Sequence, residues 1–502
     1  MNHLLKRILC ISFAAVMLLC TGCVAPENDD QTQERPKLSA TVNGIPAAFL
    51  TVPDKYVKFV QQEEDAVKVY DVAQLDRDSG LVIDVDTSRT YQPIEGFGAS
   101  LTESACINLW KMPEELRNQV MNTLFDPNKG IGLNILRQPI GISDFSIDPN
   151  RDFVDDNDTT LESFSIAYDQ ELIIPLIKQA MQIADCGEDF KVFACSWTAP
   201  LWMKTIPEYH SKNQSTLKRE YYGLFAKYLV KAIEAYEAEG IPVAYITGQN
   251  EPSGIHGIAA MYMTSDNMAT LINMYLKPEL DKAGLDTKIM CWDFNYTDGS
   301  TYTMGKTVGN VGGLAYHVYG GDFAVLENTH ALFPDIPLYI TEAAGKIQSN
   351  SACFFRQIMN MSKTIRAGSR AHILWNIVLD EDRGPALLDE NGKSVNTIGV
   401  AMIEYNTQTQ EVAYLMDYYA LGHFSKFIRP GAVLVDSTDV APEFNDNVTN
   451  VVCRNENGTM TAVLTNNDGE DHIFKLVVGD KVIEYTLGAK SAVTLTWDAN
   501  VY

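Results

Sequence analysis

Histidine and cysteine, the residues that most often build metal centres, are scarce and scattered in this sequence. The 502 residues include eight histidines and nine cysteines. There is no HExxH motif and no HxH pair, and no CxxC pair occurs after residue 23. The sequence therefore does not favour a structural zinc site or a metal-dependent hydrolase. A GxSxG motif is also missing, which removes the usual signal of a serine nucleophile on a strand-to-helix turn.

Positive charge is also in short supply. Lysine and arginine number 39 against 65 aspartates and glutamates, which gives a net charge of -26 and a pI near 4.6. Such a protein is repelled by nucleic-acid backbones and by anionic membrane surfaces, so we expect neither as a partner. Neutral or cationic ligands remain. The acids are dispersed along the chain, as in a solvated surface that aids solubility.

Long apolar runs are missing except near the start of the chain. Lys6 and Arg7 precede the run Ile8 to Cys20, which is too short for a permanent membrane span and has the layout of a secretory signal. The stretch LLCTGC resembles a bacterial lipoprotein processing site, in which Cys23 becomes lipidated. Cys20 stands where that motif usually has leucine, so cleavage without lipid is the alternative. We predict a signal peptide over 1–23 and a polar tether over 24–37.

This signal sequence predicts an exported protein, which is either a cell-surface or periplasmic lipoprotein or a secreted protein. Membrane contact is expected only through a lipid on Cys23. The cysteines that follow lie mostly in apolar runs, which favours buried thiols over a disulfide framework. They are Cys106, Cys186, Cys195, Cys291, Cys353 and Cys453.

Eight short apolar runs alternate with helical patterns through the middle of the chain. Eight buried strands separated by helices predict a (β/α)8 TIM barrel, an α/β fold, over residues 94–425. The runs are 94–99, 131–139, 190–197, 241–249, 287–293, 313–319, 336–342 and 371–377.

The end of the chain changes character. Strand-like runs such as TMTAVLT and HIFKLVV are separated by turn signals, among them Asn457-Gly458, with no helical pattern between them. This predicts an antiparallel β-sandwich over 426–502. Residues 38–93 contain similar short runs, including LVIDVDTS, and are predicted to supply edge strands to that sandwich.

Two predicted barrel strands run directly into a glutamate. In ITGQNEPSG (246–254) the strand ends at Asn250 and Glu251, and in LYITEAAG (338–345) it ends at Glu342. The carboxyl ends of barrel strands form the functional face of this fold. For Glu251 alone, a salt bridge at the rim is the alternative. Glutamates after the fourth and seventh strands are what glycosidic-bond cleavage needs, one to protonate the leaving oxygen and one to attack the anomeric carbon.

These motifs together resemble glycoside hydrolase family 30, which includes glucosylceramidases and β-1,6-glucanases. The resemblance extends over nearly the whole chain after the tether. It rests on GFGASLTESAC (96–106), LRQPIGISDFS (136–146), SWTAPLWMKT (196–205), GQNEPSG (248–254), AYHVYGG (315–321), ITEAAG (340–345), LWN (374–376) and YYALGHFSKFIRPG (418–431). The last of these follows the barrel and is interpreted as structural.

The resemblance implies roles for the acids and their neighbours. Glu251 matches the family's acid/base and Glu342 its nucleophile. Asn250 matches a residue that hydrogen-bonds the sugar 2-hydroxyl, with a helix cap as the alternative. Arg137 and Asp144 match positions that hold the nucleophile and the sugar hydroxyls. A fixed guanidinium keeps a carboxylate ionised, whereas Asp144 has an Asx-turn or a helix cap as its alternative.

Four further residues match the family's sugar subsite. Trp197 and Trp375 match aromatic walls, with ordinary core packing as the alternative. His317 and Tyr319 alternate on the sixth strand and so share one face, near the nucleophile. For His317 a hydrogen-bonded core histidine is the alternative.

The resemblance implies a retaining β-glycosidase that needs no metal or organic cofactor. In this hypothesis Glu342 forms a covalent glycosyl-enzyme, and Glu251 is protonated because a nearby carboxylate and burial raise its pKa. We favour β-1,6-glucan or a related neutral β-glucoside over glucosylceramide, β-xylosides and β-fucosides. The acidic stretch VLDEDRGPALLDENGK argues against a site for uronic acids. A surface glycan-binding protein without turnover is the alternative from another class.

Overall fold

The described part of the chain contains a barrel and a second β-sheet. The computed structural model describes residues 40–42, 44–53, 56–149, 151–344, 350–388, 394 and 400–500. The predicted signal peptide, the tether and Cys23 lie outside these residues, as do 389–393 of the acidic stretch. No helix in the described ranges is long and apolar enough to cross a membrane.

Eight parallel strands close into a barrel, which confirms the predicted fold class. We number them barrel strands 1 to 8 in chain order. They are Gly96–Ser100, Ile135–Ile140, Lys191–Ser196, Val243–Thr247, Lys288–Tyr296, Gly313–Gly321, Leu338–Ala343 and Ser369–Asn376.

Helices between these strands cover the outside of the barrel. Several begin at a side chain that accepts a backbone N–H, such as Thr102, Thr264 and Asn350, which satisfies a donor that the first turn leaves unpaired. The α-helices are Glu103–Lys111, Glu114–Phe125, Ala167–Leu172, Ile174–Ala184, Tyr222–Ala238, Ser265–Leu271, Lys277–Ala283, Asp298–Thr307, Phe323–Leu332, Ser351–Arg366 and Met416–Ser425; a π-helical turn, Ile272–Leu276, joins the sixth to the seventh. Short 3-10 helices occupy Glu64–Ala66, Val72–Gln74, Gly187–Asp189, Leu201–Met203, Arg219–Tyr221 and Ala441–Phe444.

The barrel interior is filled by side chains. One buried layer consists of Ile135, Phe193, Tyr245, Met290, Ala315, Tyr339, Ala371 and Ile373. At the amino-terminal end of the strands, the Tyr339 hydroxyl donates to Glu95. At the carboxyl end, charged groups replace the apolar ones, and the candidate site lies there.

A second sheet of eleven strands combines both ends of the described chain. Its strands are Thr41–Val42, Ile45–Val52, Tyr56–Gln61, Val67–Asp71, Leu81–Pro93, Val433–Ser437, Val448–Arg454, Thr459–Asn466, His472–Val478, Lys481–Leu487 and Ser491–Asp498. Three short strands, Val378–Asp380, Ile403–Tyr405 and Val412–Tyr414, form a separate small sheet.

The strand Leu81–Pro93 was predicted to lie at an edge of the second sheet, and this prediction is wrong. It lies inside the sheet, antiparallel to Val433–Ser437 and parallel to His472–Val478. Its thirteen residues are long enough to pair on both sides. The sheet is therefore antiparallel except at this one junction.

The predicted buried cysteines are confirmed for the most part. Five of the six are buried and Cys186 is partly exposed, and no disulfide joins them in the described ranges. The motif 418–431 lies between the two sheets, where His423 bonds to Thr494 of the second sheet and Arg429 to the Gly132 carbonyl before barrel strand 2. These contacts connect the second sheet to the barrel, which is a structural role.

Candidate active site

Glu251 and Glu342 lie together at the carboxyl ends of the barrel strands. Glu342 belongs to barrel strand 7 and Glu251 follows barrel strand 4. A carboxylate oxygen of one lies within 4.8 Å of a carboxylate oxygen of the other. Both side chains are largely buried, at 12% exposed for Glu251 and 9% for Glu342. Two acids this close can act on the same bond from two sides.

Arg137 on barrel strand 2 joins Glu342 to two other polar residues of the site. Its guanidinium donates to Glu342 Oε2 at 2.5 Å, to Asn250 Oδ1 at 2.7 Å and to Asp293 Oδ2 at 3.0 Å. Burial opposes its charge, but the carboxylates of Asp293 and Glu342 hold the pKa of Arg137 above its usual range. The guanidinium is therefore a fixed positive charge beside Glu342, as predicted from the motif.

Asp293 is a central residue of the site that the sequence reasoning missed. It lies in barrel strand 5, where the pairing register shifts and both Trp292 and Asp293 have positive φ, at 79° and 63°. This bulge directs the carboxylate inward, where it accepts from Thr341 and Thr247 as well as Arg137. Burial opposes its ionisation, but Arg137 and His317 hold its pKa far below the usual range.

The same irregular strand positions Glu251. The Glu251 N–H donates to the Asp293 carbonyl at 3.0 Å, and Glu251 itself has a positive φ of 45°. Non-glycine residues adopt this conformation at a cost of about 1–3 kcal/mol, and such residues concentrate at functional sites. The backbone of the site is therefore held by contacts between strand ends.

His317 and Tyr319 both reach the acids, so their predicted shared face is confirmed. The Tyr319 hydroxyl donates to Glu342 Oε1 at 2.9 Å. His317 lies between two carboxylates, with Nδ1 3.0 Å from Glu251 Oε1 and Nε2 3.2 Å from Asp293 Oδ1. Burial alone lowers its pKa, but Glu342, Asp293 and Glu251 raise it to about 10. His317 is thus a buried imidazolium.

The prediction that Glu251 has a raised pKa is wrong. Burial does raise it, as expected, but contacts with His256 and His317 outweigh burial and lower the pKa of Glu251 to about 2. His256, which was not predicted as a site residue, places Nε2 2.8 Å from Glu251 Oε2. Glu251 is therefore an ionised carboxylate between two imidazoles.

Asp144 and Asn250 border the same space. Burial and the nearby charge of Glu342 raise the pKa of Asp144 to about 8, so its carboxyl carries a proton at neutral pH. Asn250 accepts from Arg137 through Oδ1, which orients its amide group, and its N–H donates to the Ser196 carbonyl. Both can offer N–H or O–H donors to hydroxyl groups of a ligand.

Trp197 and Trp375 lie in this region as packing partners. Their rings stack at 4.9 Å, and the Arg137 guanidinium lies 4.6 Å from the Trp197 ring. Both are almost fully buried. These contacts fit the alternative of core packing, and direct stacking on a sugar stays a prediction.

Glu251, His317 and Glu342 carry ligand-type atoms close enough to share one cation. Each already has a charged partner, because His317 lies between carboxylates and Arg137 neutralises Glu342. Ion pairing within the protein explains the cluster. The independence from metals and organic cofactors stays a prediction.

A closed parallel barrel with an acid pair at the carboxyl ends of its strands is the arrangement found in glycoside hydrolases. Residues 94–428 match the TIM-barrel domain of glycosyl hydrolase family 30, and residues 431–495 match the beta sandwich domain of that family. The chain belongs to glycosyl hydrolase family 30.

Several named proteins are similar to this chain over most of their length. An endo-1,6-beta-D-glucanase of Trichoderma harzianum is 29% identical over 410 residues, covering 77% of this chain and 80% of its own. The lysosomal acid glucosylceramidase of Mus musculus is 28% identical, covering 78% of both chains. Among solved structures, the endo-beta1,6-glucanase BT3312 superimposes with a TM-score of 0.79 at 27% identity, over 91% of this chain and 99% of its own.

Proposed function

We propose that this glycoside hydrolase cleaves β-1,6-linked glucan with retention of anomeric configuration, using Glu342 as nucleophile and Glu251 as acid/base. The observation that carries the mechanism is the approach of their carboxylate oxygens to within 4.8 Å. Retaining enzymes place their carboxyl groups about 5–5.5 Å apart, whereas inverting enzymes separate them by roughly 6.5–9.5 Å to admit a water.

In the first half of the reaction, Glu342 attacks the anomeric carbon as the glycosidic bond breaks. Arg137 and Tyr319 hold one oxygen each, which fixes the direction of attack. Glu251 protonates the leaving oxygen. The product of this step is a glycosyl ester of Glu342.

In the second half, Glu251 acts as a base. It takes a proton from water, which attacks the anomeric carbon and releases Glu342. Because both displacements invert the centre, the sugar leaves with its original configuration.

The choice of β-1,6-glucan is supported by the named relatives and by the charge of the protein. Endo-1,6-beta-D-glucanases of three fungi are 28–29% identical to this chain. The net charge of -26 suits a neutral polysaccharide. Glucosylceramide is the second candidate, because glucosylceramidases of mouse and nematode are equally similar.

Export follows from the first residues and belongs to the same proposal. The apolar run Ile8 to Cys20 would direct secretion, and a lipid on Cys23 would retain the enzyme at the cell surface or in the periplasm. Extracellular polysaccharide is available there. Mass spectrometry of the mature amino terminus tests the lipid.

The substrate and the stereochemistry are tested on the full chain. The protein is incubated with β-1,6-glucan, glucosylceramide, xylan and small β-glucosides, with the Glu342→Gln variant as control. We expect glucose or oligosaccharides from β-1,6-glucan only with the unchanged protein, and proton NMR detects the β-anomer first. Release from glucosylceramide alone would support the second candidate. An α-anomer as first product would contradict retention.

The Tyr319 hydroxyl is expected to matter for rate. Tyr319→Phe removes the hydroxyl group that donates to Glu342 and keeps the ring. A hydrogen bond to a charged group contributes about 1.5–3 kcal/mol, so kcat/KM should fall about tenfold to 100-fold.

Tyr316→Phe is the matched control on the same strand, because its hydroxyl bonds to Ser300 away from the acids. It should change kcat/KM less than about twofold, since a polar contact away from the two acids does not act on the transition state. Equal losses in the two variants would contradict the assigned contact.

A further inference from the structure

His256 lies beside the acid/base Glu251, but the mechanism above gives this histidine no role. It belongs to the loop after barrel strand 4, five residues beyond Glu251. Its Nε2 lies 2.8 Å from Glu251 Oε2, an ion-pair distance at which the N–H is not aligned for a hydrogen bond, and its side chain is 28% exposed. The other carboxylate oxygen is in contact with His317. One imidazole is therefore deeply buried, and the other borders solvent.

The loop is built to hold His256 in this place. A Cβ on Gly254 would lie only 1.8 Å from His256 Nε2, so the absent side chain leaves the space that the imidazole occupies. Ser211 fixes the backbone, because its hydroxyl accepts the His256 N–H at 2.8 Å and its own N–H donates to the His256 carbonyl at 3.1 Å. Ser211 is fully buried. Two separate elements thus determine the imidazole position.

The charges around His256 favour its protonated form. Besides Glu251, the carboxylate of Glu342 favours this form, whereas the nearby Asp144 carries a proton at neutral pH. The opposing positive groups are His317, across Glu251, and Lys212, whose side chain lies over Gly257. Burial lowers the pKa of His256, but Glu251 and Glu342 raise it above the usual range.

We propose that His256 is a positioning residue that stores, next to Glu251, the proton required by the leaving group. The inference rests on the proposed retaining mechanism. Glu251 lies between two imidazoles, whose contacts hold its pKa below the usual range, so a proton donor beside it serves the first half of the reaction.

The transfer of the proton between His256 and Glu251 balances without another group. The proton on His256 Nε2 moves to Glu251 Oε2, which leaves a neutral imidazole and a neutral carboxyl. Glu251 then protonates the leaving oxygen as the Glu342 ester forms. In the second half Glu251 takes a proton from water, and that proton returns to His256. No oxidant, reductant or further reactant is needed.

The pH dependence of His256→Gln tests the proposal. In the unchanged enzyme, the alkaline limb of kcat/KM reports loss of the proton shared by the pair. Without the imidazole, Glu251 must hold the proton alone beside the charged His317, so the limb should move to lower pH by at least about one unit. Activity on β-1,6-glucan at neutral pH should fall at least about tenfold and recover as the pH is lowered.

A leaving group that needs no proton separates this role from a structural one. On a dinitrophenyl glycoside of β-1,6-linked diglucose, His256→Gln should retain its rate within about threefold, because acid catalysis contributes little there. Gly254→Ala should reproduce both results, since its methyl group displaces the imidazole while His256 is still present. His210→Gln is the matched control, because His210 pairs with Glu208 and not with Glu251. It should keep the profile of the unchanged enzyme.

NMR titration of the His256 ring gives a readout that is independent of any substrate. The resonance is assigned by its loss in His256→Gln, and Glu251→Gln should lower the pKa of His256. An unchanged titration would overturn the pairing. An unshifted pH profile, or equal losses on both substrates at every pH, would overturn the role of the stored proton. If the unchanged enzyme cleaved no β-glucoside, the mechanism and this role would fall together, whereas the NMR result would still decide the pairing.

Discussion

Glu342→Ala should lower kcat on β-1,6-glucan by at least about 10,000-fold, because it removes the carboxylate that forms the glycosyl ester. The variant leaves a small space at the position of the carboxylate, lined by the donors of Arg137 and Tyr319. Azide fits such a space and is attracted by the guanidinium. With dinitrophenyl glycoside as substrate, azide should restore turnover and yield an α-glycosyl azide.

Glu251→Ala is the matched comparison for that experiment. Here Glu342 still forms the ester from the activated substrate, and azide attacks from the side that Glu251 occupied. The product should therefore be a β-glycosyl azide. If the two variants gave products of the same configuration, the two assigned roles would not hold.

Arg137→Met should have the second largest effect, on activity and stability together. The substitution leaves Asp293 and Glu342 buried without their shared cation. Removing one partner of a buried ion pair costs about 3–5 kcal/mol, and loss of a fixed charge beside the reacting groups should lower kcat on the order of 100-fold or more. Activity per folded molecule and the thermal midpoint are measured in the same samples.

Arg151→Met separates these two effects. Arg151 is also a buried arginine paired with two acids, Asp169 and Glu103, but it lies in the loop beyond barrel strand 2 and contacts neither Glu251 nor Glu342. It should lower the thermal midpoint and leave kcat of the folded fraction unchanged. A comparable loss of kcat in both variants would mean that Arg137 acts through stability alone.

The barrel and its acid pair could be predicted because their signals are local. Each barrel strand is a short apolar run, and a glutamate directly after such a run must lie at the strand end, as Glu251 and Glu342 do. Arg137 was predicted from the resemblance, with a direct electrostatic reason. The interior position of Leu81–Pro93 could not be predicted, because its partners are remote in the sequence.

The protonation of Glu251 was predicted incorrectly because the relevant charges come from other elements. Burial and a second carboxylate were considered, whereas His256 and His317 reach Glu251 from the following loop and from barrel strand 6. A signal for Asp293 was present: an acid within the apolar run of barrel strand 5 is costly unless it is paired. Its partners, and the bulge that turns it inward, required the fold.

The interior position of Leu81–Pro93 imposes an order on folding during synthesis. This segment leaves the ribosome before the barrel, but its two neighbouring strands follow the barrel in the chain. At roughly 5–20 residues per second, the segment waits for some tens of seconds with both edges unpaired. Asp84 and Asp86 alternate with its apolar residues, and such charges oppose premature association with other chains. The barrel can therefore fold first, and Leu81–Pro93 is paired only after the strands Val433–Ser437 and His472–Val478 have been made.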